Sequence, residues 1–315
     1  MAAITASIAI CTRDRAESLR ATLGALERTS VPDEIRPEVL IVDNGSVDPT
    51  ADVAAAWAPQ GFVVRYVRAA CGGVAHARNA ALAAATGKII LFLDDDVRPP
   101  PQWLPGMCAP ILAGRADAVA GGVRLAPHLE RPWMERPHRT WLADTGYLDP
   151  HAPQEFVSAN MAIGRHVLER VPAFDPELGP GALGLGEDAL FSWQLLRAGF
   201  AIAPALDVAV EHHFDARRLT RRGFRDAAAH RGRTLAYQRH HWEHLEVPEV
   251  ARRFRRRRLK FALGMVTHPF PPTEGMPIWE MFLREDLAFL RHYRLERTRP
   301  RNYERFGLIK HSGAR

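Results

Sequence analysis

The chain has 315 residues, 47% of them hydrophobic and 25% charged, which is ordinary globular composition and enough for one large α/β domain plus a smaller appendage. No stretch approaches the roughly 18–20 unbroken apolar residues needed to span a bilayer, and the N-terminus lacks the basic-then-apolar pattern of a secretory signal. Cys11, Cys71 and Cys108 are widely spaced and form no CxxC, which argues against a disulfide framework or structural zinc and predicts a reducing, cytoplasmic setting, while the net charge of +6 favours anionic partners.

In chain order, residues 4–11 read as a short buried strand. Residues 16–27 carry Leu19, Leu23 and Leu26 at helical spacing. Residues 38–43 (EVLIVD) form a second buried strand, and residues 48–57 a short helix with Asp48 as N-cap and Pro49 at its first position. Residues 62–67 give a third strand. Residues 74–86 are Ala-rich and helical, closed by Gly87 as a C-terminal cap, and residues 88–93 give a fourth strand. This alternation predicts a parallel sheet covered on both faces. Its strands end in polar residues, Thr12-Arg13-Asp14, Asp43-Asn44-Gly45-Ser46 and Asp94-Asp95-Asp96, where open α/β sheets bind ligands.

From residue 99 to 153 the pattern is irregular, with a strand at 118–125. A strand at 156–163, a short helix at 165–170 and a helix at 187–198 follow. From Thr220 onward the sequence is helical and basic, interrupted by HPFPP at 268–272. The predicted organisation is a nucleotide-binding and catalytic domain over 1–215 with a helical basic region over 216–315 packed on it.

Three successive aspartates repel one another unless a cation is present. Mg²⁺ or Mn²⁺ accepts one or two carboxylates together with substrate phosphates. In a strand, side chains alternate direction, so Asp94 and Asp96 share a face while Asp95 points away. Alone, such a run is as easily a solvated turn, so its meaning depends on company.

Five segments supply that company: SIAICTRDR (7–15), VLIVDNGSVD (39–48), GGVAHARNAAL (72–82), IILFLDDDVRP (89–99) and the long stretch from VSANMAIG to LLRAGF (157–200). In this order the chain resembles the inverting family 2 glycosyltransferases over residues 4 to about 215. The resemblance implies the GT-A fold, a Rossmann-like, mostly parallel sheet flanked by helices. By position it implies that Thr12 and Arg13 contact the nucleotide, that Asp43 binds the base with Ser46 in the same loop, and that Arg78 and Asn79 lie near the ribose or diphosphate. Asp94 and Asp96 would bind the metal, with Asp94 and Asp95 also on the nucleotide side. Glu187-Asp188 would supply the catalytic base, Asp188 being preferred, and His212 would reach the metal or diphosphate, with adjacent His213 able to take that role. The run DDDV departs from the commoner DxDD. The Q/RxxRW signature of processive members is absent, which points to transfer of a single sugar.

The chemistry suits these residue types. Inversion needs a carboxylate to take the proton of the attacking hydroxyl and a cation to stabilise the departing diphosphate. Asp188 at a helix start is kept ionised by the helix dipole, and the glycines at 184 and 186 would let the backbone approach substrate, although Glu187 and Asp188 would also serve as plain first-turn acids. Trp133, Trp141, Tyr147 and Trp193 could form an acceptor platform, but core packing is the commoner fate of such rings.

The implied donor is a nucleoside-diphosphate sugar, with a UDP-sugar implied by Asp43, and the acceptor is a small molecule, a lipid-linked compound or a glycan. The basic segments from Arg217 to Arg233 and from 251 to 260 have three readings: a solvated face, an anionic-ligand site, or contact with an acidic membrane at its inner face. Nucleic acid is not expected, because no recognised module accompanies the charge. Two other functions are compatible with an acidic α/β site. A sugar-phosphate nucleotidyltransferase would carry a Gly-rich loop where CTRDR stands, and a non-catalytic nucleotide-sugar-binding protein would not need Asp188.

Overall fold

The computed structural model describes residues 4–70, 72–150, 152, 154–268 and 272–311. Cys71 and residues 269–271 of the HPFPP stretch lie outside the described residues.

The first half alternates strand and helix: β1 (Ile4–Thr12), α1 (Ala16–Leu26), β2 (Ile35–Asp43), α2 (Thr50–Ala56), β3 (Val63–Arg68), α3 (Val74–Ala84) and β4 (Ile89–Asp94). These strands are parallel, with Ile8 opposite both Val39 and Leu91. The pleat divides their side chains between two cores. Ile8, Ile10, Val39, Ile41 and Leu91 pack with Leu19 and Leu23 of α1, whereas Leu40, Val42, Ile90 and Phe92 pack with Ala77 and Ala81 of α3. Burial on both faces is why these strands read as continuous apolar runs.

The second half contains β5 (Val97–Arg98), α4 (Trp103–Leu112), β6 (Ala118–Leu125), α5 (Arg136–Trp141), β7 (Asn160–Gly164), α6 (Glu187–Arg197) and β8 (Ile202–His212). The described strands form one sheet in the order β3-β2-β1-β4-β7-β6-β8-β5. Here the sheet becomes mixed, because β7 runs antiparallel to both β4 and β6, and β5 antiparallel to β8. The pairing of Val97 with His212 brings the end of β8 beside the acidic run.

Several boundaries differ from the sequence expectation. α2 starts at Thr50, whose amide donates to Asp48 Oδ1 at 3.1 Å. The strand expected from 156 begins at Asn160. The helix at 74–86 ends at Ala84, and Ala85 is already extended, so Gly87 is not its cap. A Cβ on Gly87 would fall 2.5 Å from the Ser7 amide nitrogen and 2.8 Å from the Ala6 carbonyl carbon. That residue is glycine because the chain passes close against β1 on its way into β4.

The C-terminal region is helical, as expected: α7 (Arg221–Tyr237), α8 (Val250–Thr267) and α9 (Ile278–Glu296). α7 packs along α9 and also backs the loop before α6. Thr234 Oγ1 donates to the Leu185 carbonyl at 2.9 Å. The last described segment is tied in by a buried polar cluster. The Tyr237 and Tyr303 hydroxyls donate to Asp175 Oδ2 at 2.6 and 2.7 Å, and Lys310 Nζ lies 2.7 Å from Asp175 Oδ1. From the sequence, Phe174-Asp175 reads only as a structural turn before the Gly-rich loop; Asp175 is instead 3% exposed and anchors the C-terminal segment.

Three substitutions test this reading. Gly87→Ala should lower stability by about 1–3 kcal/mol through overpacking, whereas Gly24→Ala in α1, with nothing within 4 Å of the added methyl, should raise it by about 0.5–1 kcal/mol, both read by urea denaturation. Asp175→Ala should cost roughly 3 kcal/mol by removing the acceptor of two buried tyrosine hydroxyls and one of the two carboxylates, with Glu177, that hold Lys310, and limited proteolysis should then cut the 302–311 segment first.

Candidate active site

Polar residues collect at the carboxyl ends of β1, β2 and β4, where the predicted site lies. β4 ends at Asp94 and the chain then turns, so strand alternation does not govern Asp95 and Asp96. Asp95 is buried beneath the loop after β1. Its carboxylate accepts from Thr12 Oγ1 at 2.7 Å, and its carbonyl from Thr22 Oγ1 at 2.7 Å. Thr12, expected at the nucleotide, spends its hydroxyl on Asp95. Arg15 at the head of α1 bridges the run, with Nη1 3.0 Å from Asp95 Oδ1 and 2.8 Å from Asp96 Oδ2. His212 Nε2 lies 3.4 Å from Asp96 Oδ1, and its buried Nδ1 has no hydrogen-bond partner. His213, just past the end of β8, turns instead to Glu211, with Nε2 2.6 Å from Oε1.

The three carboxyls titrate differently. Burial raises Asp94, aided by the charge on Asp96 and opposed by Arg78. Burial pushes Asp95 up to about 7 despite Arg15 and Thr12. Burial would raise Asp96 as well, but His212, Arg15 and Arg218 hold it well below the usual range.

Arg78, on α3, joins this end of the site to α6. Its guanidinium, 3% exposed, lies 3.3 Å from Asp94 Oδ1 and pairs with Glu187. Glu187 is itself 3% exposed, and burial with the neighbouring Asp188 charge raises it to about 7 against the pull of Arg78. Asp188 follows on the open side. It lies in the first turn of α6, with Oδ2 accepting from the Ser158 amide at 3.0 Å and Oδ1 from the Ala189 amide at 2.8 Å. The Arg78 bridge thus brings the end of the acidic run beside the first turn of α6.

Gly186, the N-cap of α6, has a left-handed φ of 86°. A Cβ there would meet Thr234 Cγ2 at 2.5 Å, and one on Gly184 would strike His230. These glycines therefore admit close packing of the loop on α7, rather than approach of the loop to substrate.

The remaining expected residues lie nearby with their polar atoms engaged. Asp43 Oδ1 accepts from the Ser46 amide at 2.8 Å, and Oδ2 from the Tyr66 hydroxyl. Ser46 Oγ accepts from the Asp14 amide at 2.9 Å, locking the loops after β1 and β2 together. Asn79 pairs both ends of its amide with the Phe174 backbone, at 2.9 and 2.8 Å, so it braces α3 against the segment leading to α6. Arg13 is exposed, beside Asp14. Arg15, Tyr66 and Arg218 are additions that the motifs did not single out; the guanidinium of Arg218 lies over the Phe214 ring at 4.6 Å and favours the charge on Asp96. Among the expected aromatics, Trp141 and Trp133 pack on Phe224, and Trp193 stacks on Trp242, so packing is their main occupation.

Asp94 and Asp96, with His212 beside them, are the donors suited to a hard divalent cation. Among the described residues no group of three His, Cys, Asp or Glu side chains encloses a metal. Such an incomplete set fits an ion that keeps water and takes its other ligands from substrate phosphates.

Among known proteins, the family model described as glycosyl transferase family 2 matches residues 7–171, more than half of the chain. The succinoglycan biosynthesis protein ExoM of Rhizobium meliloti is 32% identical over 118 residues, and the glycosyltransferase AglE of Haloferax volcanii is 33% identical over 123 residues. Each alignment covers 37% of this chain and 38% of the relative. The mannosyltransferase PcManGT of Pyrobaculum calidifontis, solved with GDP-Man and Mn²⁺, superposes with a TM-score of 0.54 at 19% identity, over 91% of this chain and 70% of that one. TarS of S. aureus superposes with a TM-score of 0.51 at 19% identity, over 75% and 39% respectively. With the mixed sheet, its flanking helices and the cleft at the strand ends, these matches place the chain: it belongs to glycosyltransferase family 2 and has the GT-A fold.

Proposed function

We propose that the chain is a metal-dependent, inverting glycosyltransferase that moves one sugar from a nucleoside-diphosphate sugar, a UDP-sugar by the position of Asp43, to a hydroxyl acceptor. Residues 1–215 carry donor binding and catalysis, and residues 216–315 brace the loop that leads into α6. The acceptor is a small molecule, a lipid-linked compound or a glycan. The observation that carries this reading is the Arg78 bridge. One buried guanidinium holds Asp94 and Glu187 together, and so sets Asp188 across the cleft from the acidic run.

Glu187 is committed to Arg78 inside the protein, which leaves Asp188 as the carboxylate available to an acceptor. Two backbone amides orient it. It accepts the acceptor's hydroxyl proton as the oxygen attacks the anomeric carbon, and the nucleoside diphosphate leaves from the opposite face. Asp94 and Asp96, with His212 beside them, would hold Mn²⁺ or Mg²⁺, which when bound supplies Lewis-acid stabilisation of the leaving diphosphate. Asp43 would face the base, in the loop it shares with Ser46. Thr12 and Asp95 shape the floor of the site, and Arg15 neutralises the acidic run from the side of α1. The presence of GDP-Man and Mn²⁺ in PcManGT agrees with this donor class and metal.

Two measurements test the proposal. Asp188→Asn should keep donor binding but lower transfer by roughly 10²–10⁴-fold; full transfer by this variant would exclude Asp188 as the base. In a thermal-shift screen, UDP-sugars with Mn²⁺ should stabilise the chain, by about 2.7 kcal/mol at a free donor concentration of ~100 Kd. Asp94→Asn should abolish the metal-dependent part of that shift. A nucleotide response that ignores Mn²⁺ would overturn the metal assignment.

A further inference from the structure

α8 is the least supported long helix of the fold. Of its 18 residues only Val250 is buried. It leans on α9 through one side, where Arg257 Nη2 lies 2.9 Å from Asp286, Phe261 meets the Trp279 ring, and Gly264 admits that ring closely. The opposite side carries Leu259, Leu263 and Val266, which are 74%, 63% and 76% exposed. Spacings of four and three residues place these side chains in one stripe. Toward the helix N-terminus the same face carries Arg252, Arg255 and Arg256, all exposed. Arg252 pairs with Glu249 at the surface, while Arg255 and Arg256 form no ion pair among the described residues. The outward face is therefore basic in its first half and aliphatic in its second.

Few partners suit such a face. A nucleic acid would neutralise the arginines and leave the aliphatic stripe in water. A second copy, paired through this face, would set arginines either against arginines or against the partner's aliphatic stripe. An anionic bilayer surface satisfies both halves, because its phosphates attract arginines and its headgroup–acyl boundary accepts aliphatic side chains. No described helix is long and apolar enough to cross a membrane, so the contact would be one of lying on the surface.

We infer that α8 is an interfacial helix that docks the chain on acidic membranes, with Leu259, Leu263 and Val266 entering the headgroup–acyl boundary and Arg252, Arg255 and Arg256 resting on lipid phosphates. This inference is independent of the donor and metal assignments. The test is co-sedimentation of the full chain with vesicles of phosphatidylcholine alone or mixed with phosphatidylglycerol. Binding is expected to the mixed vesicles only, and to weaken with salt. The combined variant Arg252→Gln, Arg255→Gln and Arg256→Gln should bind about 100-fold more weakly, at the known worth of a basic residue near an anionic surface. The combined variant Leu259→Ser, Leu263→Ser and Val266→Ser should lose vesicle binding while keeping its circular dichroism spectrum, since the three side chains are in water already. Equal binding to neutral vesicles, no binding to acidic ones, or undiminished binding by the serine variant would each overturn the inference. So would a dimer in sedimentation velocity that the serine variant converts to monomer, or tight binding to a DNA oligonucleotide with none to vesicles.

Discussion

The site is organised around one buried guanidinium. Arg78 is almost fully removed from water, as is its partner Glu187, and burying two ions is favourable only when their attraction and hydrogen bonds offset the lost hydration. The second arm of Arg78 reaches Asp94. The three groups come from α3, from the end of β4 and from the start of α6, and Glu187 lies 109 residues beyond Arg78. Removing the arginine would leave a carboxyl group buried among apolar neighbours and a second one beside the like charges of the acidic run. Placement of α6, and of Asp188 on it, thus depends on the buried pair of Arg78 and Glu187.

Asp188 and Glu187 are adjacent in sequence and opposite in circumstance. Glu187 points inward, where burial and the adjacent Asp188 charge push it up to about 7. Asp188 points to the cleft and is held by two amides. Adjacent residues at a helix start diverge by about 100° around the axis, so one can serve as a structural counter-ion while the other stays open to a substrate. A preference between them based on sequence spacing alone is weak. The ion pair of Glu187 with Arg78 is what favours Asp188 as the proposed base.

Much of the fold was legible in the sequence because buried parallel strands leave an unmistakable record. Ile8, Ile41 and Leu91 face one core while their neighbours Ala9, Leu40 and Ile90 face the other, so their strands read as uninterrupted runs, and the polar residues that end those runs mark the cleft. What escaped was long-range or depended on where a strand stops. The assumption that Asp94 and Asp96 share a strand face failed because β4 ends at Asp94. Arg15 gave no local sign that it would meet aspartates 80 residues later. Asn79 has the position of a ligand-binding residue in its motif, yet its amide is complementary to the Phe174 backbone and is consumed there. Asp175 looked like a turn residue because its partners, Tyr237, Tyr303 and Lys310, come from the other end of the chain.

The glycines before α6 show how the C-terminal helices hold the loop that carries Asp188. Gly184 and Gly186 have no room for a side chain because α7 presses against them, and Thr234 of α7 takes up the Leu185 carbonyl. Asp175, at the start of that loop, is clamped by Tyr237 of α7 and by the segment carrying Tyr303 and Lys310. The loop that delivers Asp188 is thus fixed from behind by residues beyond 216. A carboxylate acting as a general base must lie within hydrogen-bond reach of the proton it takes, and small displacements are costly to catalysis. On this geometry α7 supports the proposed catalytic centre from behind, while α8, on the outside and with only Val250 buried, can face a membrane without disturbing it.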